Sequence, residues 1–399
     1  PPLHPPLVSH QETHHYTYRQ ATNNGWQWML GKAQTNNIKP AFEHAQLAAA
    51  IKNSTKQDAN PDRLHLAKLS LVNDSIEFQL GKHRYRYKEN KLTQINNSPK
   101  KAKRPTAKRQ QQKDKRSDKS PDGKWRAYIK DGAVHLTNTT IEETQVLAKP
   151  KHPNHYYEGT PTWNPQSTHF FITYCEPGDR RKVSIVESSP KDQLQPKVHT
   201  FRYDKPGDKI DRREPHLFSV NQKTLIKPDQ KLTSNAMSID RTSWNNAGDR
   251  ITYEYIERGY GKHYLINTDI KSGKQFPLIK EESNTYIHVY FVRFRKALPN
   301  TQEMIWGSLR DGWRHLYLLD LETGKVKNQI TKGPWTVRDI INIDEKNRTI
   351  TFTANGTKPD QDPYHIHYYR INFDGSDMIA LTKADGTHEL FFSPDKKYY

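Results

Sequence analysis

Histidine, serine and cysteine are the residues that could carry chemistry in this chain, and their spacing excludes most of it. His10 and His14 in His10-Gln-Glu12-Thr-His14 are four apart, as two zinc ligands on a helix would be. The glutamate is misplaced for His-Glu-x-x-His and the approach is rich in proline, so a terminal segment without metal is expected. His152 and His155 have no carboxylate at ligand spacing and read as loop residues. The single Cys175 excludes a disulfide framework and a cysteine-based zinc site, and it leaves the redox compartment open. A serine nucleophile of the α/β-hydrolase kind needs a sharp Gly-x-Ser-x-Gly turn to lift its hydroxyl toward a base. No such pentapeptide occurs, nor the strand-helix alternation that would surround it. The chain by itself is therefore expected to be catalytically inactive. Arg310, Asp311 and Trp313 suggest a ligand site, but Asp-Gly before an aromatic strand is first a turn, and Trp313 is expected to pack between neighbouring sheets.

The elements around these residues read as strands. In WGSLRDGWRHLYLLDLETGKVKNQITKGPW (306–335), His315, Tyr317 and Leu319 alternate with Leu316 and Leu318, Glu322-Thr-Gly324-Lys325 reverses the chain, and a second strand runs from Val326 to Ile330. Residues 13–34 spell a hairpin about Asn23-Asn24-Gly25, and residues 64–95 spell further short strands. Residues 41–51 (AFEHAQLAAAI), after Pro40, switch to helix-forming chemistry. Pro121-Asp122-Gly123 opens a turn-then-strand pattern that returns at residues 160–177 and 241–259, and at the terminal FFSPDKKYY. Residues 185–218 carry several prolines and read as a long excursion with an edge strand at 198–203.

A recurrence of roughly 40 to 50 residues is the mark of a β-propeller. The fold class expected is all-β: about seven to eight four-stranded blades, the last incomplete, with one short helical insertion near 41–51. Residues 1–399 are read as a single propeller domain: N-terminal blades over 13–95, a basic flexible loop over 96–119, and the remaining blades over 120–399.

Composition agrees with many half-exposed strands, being 33% hydrophobic and 11% aromatic. The net charge of +19 is concentrated in residues 100–119 (KKAKRPTAKRQQQKDKRSDK), which hold no aromatic or large apolar side chain. Such a stretch cannot bury enough surface to order itself. A solvated loop is the plain reading; polyanion binding is the competing one, but it lacks interleaved aromatics, and no nucleic-acid partner is expected. No apolar run is long enough to span a membrane.

Arg310, Asp311, Gly312, Trp313, His315, Leu316 and Tyr317, followed by Ile330, Thr331, Gly333 and Trp335, resemble in order one blade of the N-terminal propeller of the prolyl oligopeptidase family, in its bacterial dipeptidyl peptidase IV branch. Tyr203, Lys205, Pro206, Gly207 and Asp208 match a further segment of that family. The resemblance implies a peptide substrate, a C-terminal α/β-hydrolase domain beyond residue 399 carrying the serine-peptidase triad, a periplasmic or secreted location after removal of a signal peptide, and no cofactor or metal. A homodimer is left open. In these relatives a tyrosine followed by glutamates holds the free amino group of the peptide, because a buried ammonium needs paired carboxylates. The counterpart here is Tyr157-Glu158, the candidate substrate-binding pair, with Gly159 and Thr160 where further acids would stand. The implied function is a propeller that gates and orients peptides for proteolysis; the alternative is a stand-alone propeller that binds a protein partner.

Overall fold

Short apolar-alternating runs, many ended by a glycine, asparagine or aspartate that accepts a left-handed backbone, fold into antiparallel strands that pair mostly with their sequence neighbours. The computed structural model describes residues 8–10, 15–35, 37–72, 75–95, 119–393 and 398–399. The basic run at 100–118 and His14 lie outside the described residues, as do the expectations attached to them. The chain forms two compact units, residues 1–110 with 389–399, and residues 111–388.

In the first unit, β1 (Val8–His10), β2 (His15–Thr22), β3 (Gly25–Lys32) and β4 (Asn37–Pro40) make one sheet in sequence order. After α1 (His44–Thr55), a second sheet follows: β5 (Ala67–Val72), β6 (Ser75–Leu80), β7 (His83–Lys88) and β8 (Lys91–Ile95). The helix begins later than its sequence suggests because Pro40 is still paired with Met29, and it ends where Lys56 turns left-handed. Leu47, Ala48 and Ile51 bury its apolar side with Trp28, Phe42, Leu64 and Phe78 in one core.

The second unit opens with a three-stranded sheet of β9 (Trp125–Lys130), β10 (Ala133–Asn138) and β11 (Thr144–Ala148), to which Lys119 adds an isolated bridge on Arg126. Next come β12 (Tyr156–Trp163) and β13 (His169–Glu176), a two-stranded ribbon of β14 (Lys182–Glu187) and β15 (Lys197–Arg202), and then β16 (Arg212–Ser219) and β17 (Thr224–Ile226). The sheet order is β12-β13-β16-β17, so the ribbon is an insertion. Three more four-stranded sheets follow. They are β18 (Ala236–Trp244), β19 (Arg250–Glu257), β20 (Lys262–Asp269) and β21 (Gln275–Glu282); after the short α2 (Val289–Val292), β22 (Arg295–Leu298), β23 (Glu303–Ser308), β24 (His315–Asp320) and β25 (Val326–Gln329); and β26 (Thr336–Asp344), β27 (Thr349–Asn355), β28 (His367–Asn372) and β29 (Ile379–Ala380). Apolar side chains fill the space between successive sheets: Ile305, Leu316 and Leu318 pack with Val337, Ile350, Phe352 and Phe373. This all-β succession of four-stranded antiparallel sheets is a β-propeller fold.

Three local expectations are corrected. The excursion at 185–218 has its expected edge strand, as β15, but it also contains the end of β14 and most of β16, whose Pro215 argued against a strand. β17 pairs only with residues 217–219, so the missing N–H of Pro215 removes nothing from that ladder. Trp313 does not pack between sheets: it is 44% exposed, and Trp306 and Trp335 take the buried places. No strand occurs among the described residues of 388–399; the Ser393 N–H donates instead to the Tyr398 carbonyl, and β29 already supplies a fourth strand to the preceding sheet.

Candidate functional site

Glu158 owes its position to a break in the β12–β13 ladder. Glu158 faces Thr173 and Thr162 faces Phe171, so Gly159, Thr160 and Pro161 stand opposite Ile172 alone. Gly159 has φ +88 with nothing near a Cβ, so the backbone, rather than crowding, requires glycine there. Comparable register shifts recur in the first strands of the β18 and β26 sheets, at Asp240/Ser243 and Val337/Ile340. Charged residues lie at each shift: Glu158 at the first, Asp240 with Arg241 at the second, and Arg338 with Asp339 at the third.

Glu158 is 30% exposed and accepts a 2.6 Å bond from the Arg213 Nε on β16. Burial opposes the Arg213 charge, but Glu158, with Asp211 and Cys175 nearby, raises the guanidinium pKa on balance. Beside this pair the buried Asp211 accepts from the Gly178 N–H, from Arg180 and from both terminal nitrogens of Arg202. Burial would raise the Asp211 pKa; these donors hold its carboxyl well below the usual range. Arg180 also lies over the Tyr156 ring and donates to its hydroxyl. The ribbon, through Arg202, is thus tied to the strand ends that carry Glu158.

Tyr157 is buried, and its hydroxyl pairs with the His216 Nδ1 at 3.1 Å. Its ring meets Tyr174, His216 and Phe218 edge-on, and burial pushes its pKa well up. The predicted pair therefore diverges, Glu158 reaching the surface and Tyr157 fixing the strand from beneath. Next to His216, Glu214 is held at about 2: His216 (3.6 Å) and Lys227 (3.0 Å) favour its charge and burial opposes it.

Sequence reasoning missed a second cluster. Glu254 is fully buried and meets Arg241, Arg293, Arg295 and His263 at 2.7–3.1 Å. Burial alone would raise its pKa, but the His263 hydrogen bond and the three guanidinium groups hold its carboxyl far below the ordinary range. Asp240 binds Arg293 as well. The available signal was a lone glutamate between the buried Tyr253 and Tyr255, followed downstream by Arg293-Phe294-Arg295.

Of the other candidates, Arg310 bonds Glu281 of the preceding sheet and lies over Tyr317 of its own, and Asp311 accepts from Gln329 within its own sheet, so both have structural partners. The rings of His152 and His155 meet edge-on, and the His155 Nδ1 lies 2.9 Å from the Tyr174 hydroxyl. Among the described residues, no group of three or more His, Cys, Asp or Glu is placed to hold a metal, and no helix is long and apolar enough to cross a membrane.

These features define a β-propeller with clusters of charged side chains at bulges in first strands. A family model described as the dipeptidyl peptidase IV (DPP IV) N-terminal region matches residues 77–399, and the chain belongs to that family. Dipeptidyl peptidase 4 of Trichophyton rubrum is 26% identical over 238 residues, 57% of this chain and 29% of that protein. Dipeptidyl peptidase 4 of Arthroderma otae is 25% identical over 235 residues, again 57% of this chain and 29% of that protein. The crystal structure of Porphyromonas gingivalis dipeptidyl peptidase 4 has the same fold, with a TM-score of 0.52 at 16% identity over 97% of this chain and 54% of that one. The chain thus spans about half the length of the solved relative.

Proposed function

We propose that this propeller restricts and orients peptide substrates for a serine-type hydrolase domain carried elsewhere in the full protein, and that Glu158 receives the peptide's free amino group. The observation that carries the reading is Glu158 at a bulged strand end, half-open to solvent and held in one orientation by Arg213. Tyr157 serves the same site indirectly, by anchoring β12 on His216. With one carboxylate where relatives are expected to place several, and that one already paired, selection for a free N-terminus is weaker than strict dipeptide release requires.

The test uses the full-length peptidase. Glu158→Gln should lower kcat/KM about 10- to 100-fold for a free-amine dipeptidyl anilide, the worth of one charge-assisted hydrogen bond, and leave the N-acetylated analogue unchanged. Equal loss on both substrates, or on neither, removes Glu158 from amine recognition.

A homodimer through the β14–β15 ribbon is part of the same proposal. The ribbon is two-stranded, and Ile185, Val186, Val198 and Phe201 are exposed on it, an arrangement of marginal stability without a partner. A periplasmic or secreted location belongs to it too, with peptides as the extracytoplasmic substrate.

A further inference from the structure

Arg213 and Glu158 meet across a strand. Glu158 faces Thr173 on β13, while Arg213 on β16 faces Cys175, two residues further along β13. Residues two apart on a strand share a face, so both side chains rise on the same side of the sheet and the guanidinium reaches across β13. Its Nε lies 2.6 Å from Glu158 Oε1, the one ion pair that Glu158 makes among the described residues. Each side chain keeps 30% of its surface exposed, so a solute can reach the pair.

The same guanidinium has a second carboxylate within reach. Its Nη2 lies 3.9 Å from Asp211 Oδ2, just beyond hydrogen-bonding distance. Asp211 pairs with Arg180 and Arg202, and Arg202 also pairs with Asp204. Three guanidinium groups thus stand against three carboxylates, and the cluster is balanced within itself. A peptide ammonium brought to Glu158 adds a further positive charge beside Arg213, which opposes it. Moving Arg213 onto Asp211 frees Glu158 for the ammonium and leaves neither cation without a carboxylate. An N-acetylated peptide brings no charge and gains nothing from that exchange.

We propose that Arg213 is a specificity-determining residue: it competes with the peptide's free amino group for Glu158 and shifts to Asp211 when the amine binds. This rests on Glu158 being the carboxylate that receives the amine. The resident guanidinium then weakens the selection for a free N-terminus, and its removal strengthens it.

The test compares KM for a free-amine dipeptidyl anilide with KM for its N-acetylated analogue in the full-length peptidase. Arg213→Met keeps an apolar stem beside the buried Cys175 and removes the charge. It should strengthen the preference for the free amine about tenfold, the worth of one charge-assisted contact, and through KM rather than kcat. Loss of a merely structural ion pair would weaken that preference instead. Arg213→Gln should give the same gain, and it carries the test where Arg213→Met melts early. Glu158→Gln added to either should cancel the gain, and Arg213→Lys, which keeps the cation, should stay near wild type. If Glu158→Gln weakens the free-amine preference while neither Arg213→Met nor Arg213→Gln strengthens it, Glu158 keeps its role and the competition is overturned. An equal gain in Arg213→Lys overturns it too. If Glu158→Gln changes nothing, the amine assignment itself falls, and the competition with it.

Discussion

Replacing Glu254 by glutamine keeps the shape of the side chain and removes its charge. The change would leave Arg241, Arg293 and Arg295 with Asp240 as their remaining carboxylate partner in the cluster, and two of the three guanidinium groups are largely shielded from solvent. Breaking a buried ion pair from one side costs about 3–5 kcal/mol, because the stranded charges lose their compensation without regaining water. In a unit of this size 1 kcal/mol moves the melting temperature by about 2–4 °C, so a fall of roughly 10 °C is expected. Urea midpoints should move in parallel at unchanged slope. Arg295→Met added to Glu254→Gln should cost less than the sum of the two single changes, since it removes one of the stranded charges. Glu345→Gln is the control: its pair with Lys296 is 2.7 Å long but 44% exposed on both sides, and a shift below about 1 kcal/mol is expected. If Glu254→Gln melts with the control, the cluster is not the electrostatic lock its geometry describes.

Purified residues 1–399 should hydrolyse no Pro- or Ala-linked chromogenic dipeptide; turnover that survives repurification and is blocked by a serine-directed phosphonate would refute this. Glu214 and Glu303 are both held at about 2, Glu303 by Arg348 and Lys327 against burial. Both carboxylates are depressed on folding, so the unfolded chain binds more protons, and their contribution is complete above about pH 4.5 and lost as pH falls toward about 2. Urea midpoints should decline across that window, and a flat profile would contradict it. Introducing Val186→Asp with Val198→Asp, a cross-strand pair on the ribbon, should convert a dimer to monomer by light scattering; an unchanged mass would place the interface elsewhere.

The alternation of Leu316 and Leu318 with Tyr317 and Leu319 determined a strand with both faces buried, and Asn23-Asn24-Gly25 determined a hairpin, because period and turn chemistry are local properties. The repeated turn-and-strand pattern in turn determined the all-β class. Pro215 hid β16, since a proline's effect on a strand depends on whether a neighbour needs its N–H, and that neighbour is set by the sheet. Trp313 was misplaced for a similar reason: Trp306, Trp313 and Trp335 are alike in sequence, and only packing decides which are buried. Tyr157 and Glu158 were legible as a motif, yet their divergence follows from strand alternation at a bulge whose partner, Ile172, lies on another strand. Arg213 for Glu158, and Arg293 with Arg295 for Glu254, are 39 to 55 residues distant in the chain. A carboxylate's partner at such separation is chosen by sheet register and by the cost of burying unpaired charge, and only the tertiary structure decides either.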